Sequence, residues 1–324
     1  MILDLRNTCP FCSGGQSQEL FLKNDVPILK CQDCSHRYCL TSSEVSDRVA
    51  DEFDDDYFFG GELCYDDYSV MRPDLKRKSA YYSKILKRNL NEEARNKPKI
   101  LDVGCAAGYL LEGFVEQGWG TTGLEANRTM AKYAREELGL DVHHCPIEDF
   151  ESESSYDVAS LVQVLPHITE PYKALSQIHD KLNPDGLLLI ETWNCDSLAA
   201  RVFGTNWHQY NPPSVLHWFS KLSLAEQLEH CDFEVVQTGR PVKWISLGNA
   251  AAALKKAVSD SKLLSTLCAP LGLMPEWLKV PYPMDDCFWI VARKKARVST
   301  IDLAPKMAPV NSKQAQGELA TAAV

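Results

Sequence analysis

The sequence predicts an α/β fold, a mostly parallel sheet covered by helices and preceded by a small cysteine-rich module. Three observations predict it. From Pro98 onward, short apolar runs alternate with amphipathic stretches, the pattern of parallel strands joined by crossover helices. The first of these runs ends in a glycine-bearing turn, LDVGCAAGYLLEG at 101–113, which opens a helix. Ahead of both, CPFC and CQDC place Cys9, Cys12, Cys31 and Cys34 as two C-x2-C pairs separated by 18 residues.

That spacing predicts a zinc ribbon over residues 1–40, with FLKN and VPILK supplying a hairpin between two thiolate-presenting turns. With four cysteine ligands, no coordination position is left for water, so the expected Zn2+ is structural. Residues 41–70 are acidic and aromatic without a period and read as a linker. Within 74–93, Leu75, Tyr82, Ile85, Leu86 and Leu90 fall on one helical face. Residues 41–95 therefore form a linker with an N-terminal helix or lid.

The main domain spans 96–296. KILDVGC, TTGLE, VHHC, YDVASLVQV and GLLLIETWN read as five strands. Helices are expected through YLLEGFVEQG, from Thr129 to Leu138, and through YKALSQIHDKL, and LNPDG reads as a helix end followed by a tight turn. Residues 205–219 form an irregular aromatic loop, Ser220 opens a helix, and FEVVQTG and CFWIVARKK give two more strands around a helical insertion at 245–280. The tail at 297–324 lacks any period and is expected to be disordered.

Composition narrows the function. The 44 acidic residues outnumber the 34 basic ones, for a net charge of -10, which repels phosphate backbones and argues against a nucleic-acid partner. No run approaches 18 uninterrupted apolar residues, so no membrane span is expected. Twelve cysteines without a signal-peptide pattern fit reduced thiols and metal ligands in a soluble, cytoplasmic protein.

The turn at 101–113 lacks the G-x-G-x-x-G spacing of dinucleotide sites and the G-K-[ST] of phosphate loops. It offers Asp102 two residues before Gly104, then Gly108, where glycines allow a ligand close to the backbone. Glu125 ends the second strand, where a carboxylate in such a sheet accepts both hydroxyls of a ribose. An adenosine is implied.

With CPFC, CQDC, FDDDYFFGG, LDVGCAAGYLLE, GLEAN, PIEDF, YDVASLVQVLPHITEP, LNPDGLLLIETWN and WHQYNPPSVLHWFS in this order, the chain resembles the class I S-adenosylmethionine-dependent methyltransferases, in the branch with an N-terminal zinc ribbon. The resemblance implies a Rossmann-like seven-stranded sheet with helices on both faces. It places Asp102, Gly104, Cys105, Ala106 and Gly108 around the amino-acid part and sulfonium of S-adenosylmethionine, and Glu125 with Ala126 at the ribose. Ile147 and Glu148 fall at the adenine, and Gln163 near the methionine portion. The family usually has glycine at Ala106, a Glu-His pair at Pro166-His167, and a histidine at Val215, with His217 two residues on.

An oxygen acceptor needs its proton removed, and a neutral histidine suits that task. His167, His208 and His217 are the candidates. The resemblance implies O-methylation of a small-molecule, glycan or lipid-linked acceptor. Methylation of rRNA, and a non-catalytic donor-binding protein, are the alternatives. The sequence leaves the oligomeric state open.

Overall fold

The computed structural model describes residues 8–39, 68–241, 244–246, 279–281 and 285–296. The linker at 41–67, the interior of the 245–280 insertion and the 297–324 tail lie outside the described residues.

Strands β1 (Ser17–Lys23) and β2 (Val26–Cys31) form the expected hairpin. Its turn residues, Asn24 and Asp25, both have positive φ, 49° and 62°. Such a turn twists in the same sense as its strands, and Asn and Asp tolerate the conformation. A third strand, β3 (Arg37–Cys39), pairs antiparallel with β2.

Helix α1 (Arg72–Asn89) buries Tyr82, Ile85 and Leu86 on the face expected of it, and the short α2 (Glu92–Asn96) is capped by the Asn91 side chain. The sheet then builds through β4 (Lys99–Val103), α3 (Tyr109–Glu116), β5 (Gly120–Leu124), α4 (Arg128–Glu136), β6 (Val142–His143), β7 (Tyr156–Val162), α5 (Pro171–Lys181) and β8 (Leu182–Trp193). After it come α6 (Leu198–Phe203), β9 (His217–Trp218), α7 (Lys221–His230), β10 (Phe233–Gly239), β11 (Trp244–Ser246), β12 (Lys279–Pro281) and β13 (Cys287–Lys294).

The main sheet has seven strands in the order β10-β13-β8-β7-β4-β5-β6. Strands β4 to β8 are parallel, while β13 runs antiparallel between β8 and β10. The order reverses at β4, leaving a crevice at the carboxyl ends of β4, β5 and β7 where such sheets bind ligands.

The period of two divides the strands between two cores. Leu101, Val103, Leu188, Ile190, Phe288 and Ile290 pack toward Leu175, Ile178, Leu224 and Leu228 of α5 and α7. Ile100, Val158, Leu187, Leu189 and Val291 pack on the other face against Tyr82, Leu86, Leu111 and Phe114. Gly113 brings α3 against α1: a Cβ there would stand 3.0 Å from the Lys76 backbone.

Four features differ from the sequence expectation. The Pro-Asp-Gly turn does not separate helix from strand, because β8 already begins at Leu182; Asp185 takes φ 61°, and the pairing with β7 shifts register between Tyr156 and Val158. Helix α6, N-capped by the Ser197 hydroxyl, forms ahead of the aromatic loop, where no helix was expected. The described ends of the 245–280 insertion are extended, with β11 and β12 paired antiparallel. Lastly, β9 leaves the aromatic loop to pair with β3, making a four-stranded sheet β1-β2-β3-β9 that joins the cysteine module to the main domain.

Candidate active site

The turn after β4 lies at the crevice. Gly104 and Gly108 have φ of 72° and 79°. A Cβ on Gly104 would stand 2.6 Å from Val164 Cγ2, and one on Gly108 2.6 Å from Leu140 Cδ1. The Gly104 and Cys105 amides both donate to Leu124 O, at 2.8 and 3.0 Å, tying the turn to β5. Cys105 is buried, and burial pushes its thiol up, so it packs as a neutral group. Ala106 carries φ 47°, a conformation that costs a residue with a Cβ roughly 1–2 kcal/mol. Restoring glycine relieves this strain while adding unfolded-chain entropy. Ala106→Gly is accordingly expected to stabilise the protein by up to about 1 kcal/mol, read as a rise in the denaturation midpoint.

Two buried carboxylates flank the turn. Asp102 accepts from Ser160 Oγ at 2.6 Å and is pushed up to about 7, chiefly by burial. Glu125 accepts the Ala106 amide on Oε2 and the Asn127 amide on Oε1, each at 2.7 Å. Burial raises its pKa, against the pull of these amides. Glu125 therefore holds the turn, a role its sequence position does not reveal.

Ala126 O accepts from His144 Nε2 at 2.9 Å. Ile147 is buried in a 3-10 turn, and Glu148 is partly exposed beside it, its carbonyl accepting from Gln177 Nε2 at 3.2 Å. Gln163, just past β7 with φ 64°, donates to Glu191 Oε1 at 2.8 Å, while its own buried Oε1 has no partner among the described residues.

A small cleft, partly open to solvent, is lined by Tyr68, Leu75, Asp102, Gly104, Cys105, Leu110 and Val162. The structure thus brings Asp102, Gly104 and Cys105 together. Tyr68 stacks on Tyr109 with ring centroids 5.7 Å apart and walls the cleft.

Beside Val162 sits fully buried Glu191, which accepts from Lys78 Nζ at 2.8 Å, from Gln163 and from the Tyr82 hydroxyl. Burial pushes the Glu191 carboxyl up, but Lys78 and the hydrogen bonds outweigh it and leave the pKa lowered. This cluster anchors α1 over the crevice. One signal for it was present: a lone acid inside the apolar run LLLIETW must have partners if buried.

The three histidines separate. His208 is exposed, its Nε2 2.8 Å from the Gln209 side chain. His217 is buried, donating from Nε2 to Ile168 O at 2.9 Å, with Nδ1 3.1 Å from His36 Nε2. Burial lowers its pKa to about 3. With both nitrogens engaged inside the protein, His217 is placed for packing and not for taking a substrate proton, which corrects the sequence expectation. His208 is exposed and does not line the cleft. His167 follows β7, in the 3-10 turn Leu165–His167. Its Nδ1–H donates to Ser214 O, placing the ring lone pair on Nε2, and burial lowers its pKa so that the ring is neutral.

The four ribbon cysteines converge, all sulfurs lying within 4.8 Å of one another. Cys9 Sγ is 3.5 Å from Cys34 Sγ, and Cys12 Sγ 3.5 Å from Cys31 Sγ. A tetrahedral zinc with bonds of about 2.3 Å would set sulfurs roughly 3.8 Å apart. The cluster fits zinc, and the Gly14 amide, 3.4 Å from Cys12 Sγ, offsets thiolate charge.

A profile of the methyltransferase domain family matches residues 75–238, half of the chain. Among characterised proteins, the chain is 31% identical over 148 residues to a ubiquinone biosynthesis O-methyltransferase of Actinobacillus pleuropneumoniae, covering 41% of this chain and 63% of that protein. It is 27% identical over 143 residues to the mitochondrial ubiquinone biosynthesis O-methyltransferase of Schizosaccharomyces pombe, covering 41% and 52%. The match thus spans less than two thirds of these relatives. Among solved structures, the 1,6-didemethyltoxoflavin-N1-methyltransferase of Burkholderia thailandensis, determined with S-adenosylhomocysteine, shares the fold at TM-score 0.50 and 18% identity, covering 86% of this chain and all of that one.

Proposed function

The chain belongs to the methyltransferase domain family, and from that premise we propose that it moves the methyl group of S-adenosylmethionine to a hydroxyl of a small-molecule acceptor. The observation that carries this reading is the pair of buried carboxylates, Asp102 and Glu125, at the ends of adjacent strands on either side of a positive-φ turn. When bound, S-adenosylmethionine supplies a methyl carbon made electrophilic by its sulfonium.

In this reading Asp102 accepts the donor's ammonium, and Glu125 keeps lone pairs for the ribose hydroxyls. Ile147 and Glu148 flank the adenine, and the unpartnered Gln163 Oε1 faces the amino-acid part. Tyr68, Leu75 and Val162 exclude water from the reacting centre. Nε2 of His167 takes the acceptor's proton. The likeness to ubiquinone-pathway O-methyltransferases supports a phenolic or other small hydroxyl acceptor over a glycan. Methylation of RNA is disfavoured: Arg37 of the ribbon is engaged by Asp196, Tyr210 and Cys195 O, and Lys23 by Thr205 O.

Radiolabelled S-adenosylmethionine added with the protein to a cell extract tests the acceptor class. Label in the lipid and small-molecule fraction supports the proposal; ribonuclease-sensitive label in the RNA fraction overturns it.

Asp102 adds a pH signature. A carboxyl raised to about 7 favours the folded protein most in its protonated form, and that contribution is lost as pH rises toward and through 7. A cationic donor head has the opposite preference and binds the carboxylate. Affinity for S-adenosylhomocysteine is expected to rise by up to about tenfold per unit from pH 5.5 to 7 and then level off. In Asp102→Asn the calorimetric profile should be flat.

A further inference from the structure

We propose that the metal-held ribbon is a positioning element for His167, fixing the acceptor end of the crevice through the 214–217 segment. The inference rests on the reading of His167 as the base, and its positional content can be tested apart from that reading.

Three bonds from one short segment hold the ring of His167 and the backbone of the residues on either side of it. Ser214 O accepts from His167 Nδ1, the Leu216 amide donates to Pro166 O at 2.9 Å, and His217 Nε2 donates to Ile168 O at 2.9 Å. The same segment belongs to the ribbon's sheet. Tyr38 pairs with His217 and Arg37 with Trp218, and the Cys39 amide donates to Leu216 O at 3.0 Å.

The link continues into the metal site. His36 Nε2 donates to His217 Nδ1 at 3.1 Å, and His36 O accepts the amide of the ligand Cys31 at 2.9 Å. Phe11, between ligands Cys9 and Cys12, packs edge-on against His36 at 4.7 Å and against Phe219 at 5.8 Å. Cys9, Cys31, Cys34 and Phe11 also share one apolar core with Leu165, the first residue of the His167 turn. Opening the cysteine cluster frees Phe11 and His36, and with them the support under His217. His36 and His217 are essentially inaccessible, so the bond between them is not readily replaced by water once lost.

The test uses the full chain labelled with 15N-histidine, in which the His167 Nδ1–H resonance is identified by its loss in His167→Gln. Zinc removal by a chelator, and separately His217→Leu, should speed solvent exchange of that proton by at least about tenfold. S-adenosylhomocysteine affinity should stay within about twofold, because Asp102 and Glu125 are held by Ser160, Ala106 and Asn127 and not by this path. His217→Gln, which can still donate to Ile168 O, should restore slow exchange. An unchanged resonance after both treatments overturns the proposal, as does loss of donor binding in step with exchange, which would mark general unfolding. Should His217→Leu fail to fold, the chelated wild-type protein and Phe11→Leu carry the test. Normal turnover in His167→Gln would remove the base assignment and leave this positional result standing.

Discussion

Replacing Cys31 with serine is expected to release zinc from the chain, from about one ion per molecule to well under 0.1, and to unfold the ribbon. Cys31 is fully buried and is one of four sulfurs already gathered within 4.8 Å. Without a cation these thiols cannot all ionise: the hydrogen bond from Cys34 draws Cys9 down to about 6, while Cys34 itself is pushed far up. A dication reverses that conflict by favouring every thiolate at once. Structural zinc supplies on the order of 10 kcal/mol of folding free energy, more than a module of this size obtains from its own core. Metal analysis of freshly purified wild-type and Cys31→Ser protein checks the stoichiometry, and limited proteolysis should show early cleavage within residues 8–39. Because β9 belongs to the ribbon's sheet, the 214–218 segment should become cleavable as well.

Glu125→Ala is expected to weaken donor binding by at least about thirtyfold, near 2 kcal/mol, in a calorimetric titration with S-adenosylhomocysteine. Two losses combine. The ribose loses its acceptor, and the Ala106 and Asn127 amides lose theirs inside the protein, at about 1–3 kcal/mol for each group left without a partner. Part of this second loss falls on the folded protein itself, so the melting temperature should fall too. Glu125→Gln separates the contributions: its amide oxygen still accepts one backbone N–H, so stability should recover more than affinity. Affinity within about twofold of wild type in Glu125→Ala would remove Glu125 from the donor site.

The residues of the parallel sheet announce themselves because burial on both faces demands unbroken apolar runs such as GLLLI, and period two then divides them between two cores. The C-x2-C pairs and the turn Gly104–Gly108 are legible for a similar reason: metal geometry and positive φ each admit few residue types. What stayed hidden depends on distant pairing. Nothing local in HW at 217–218 says that it forms an edge strand against RYC at 37–39. For that reason His217, an apparent catalytic candidate in an aromatic loop, turns out to be buried against His36. Glu191 shows the converse, since its partners Lys78 and Tyr82 lie over a hundred residues earlier and only folding reveals them.

In the proposed function, the crevice at the ends of β4 and β5 is the methyl-donor site. Its most direct test is a calorimetric titration of the purified chain with S-adenosylhomocysteine, in the wild type and in the Asp102→Asn/Glu125→Ala double variant. Binding at one site per chain that the double variant abolishes is the predicted result. No binding to the wild type, or equal binding to both proteins, would contradict the account.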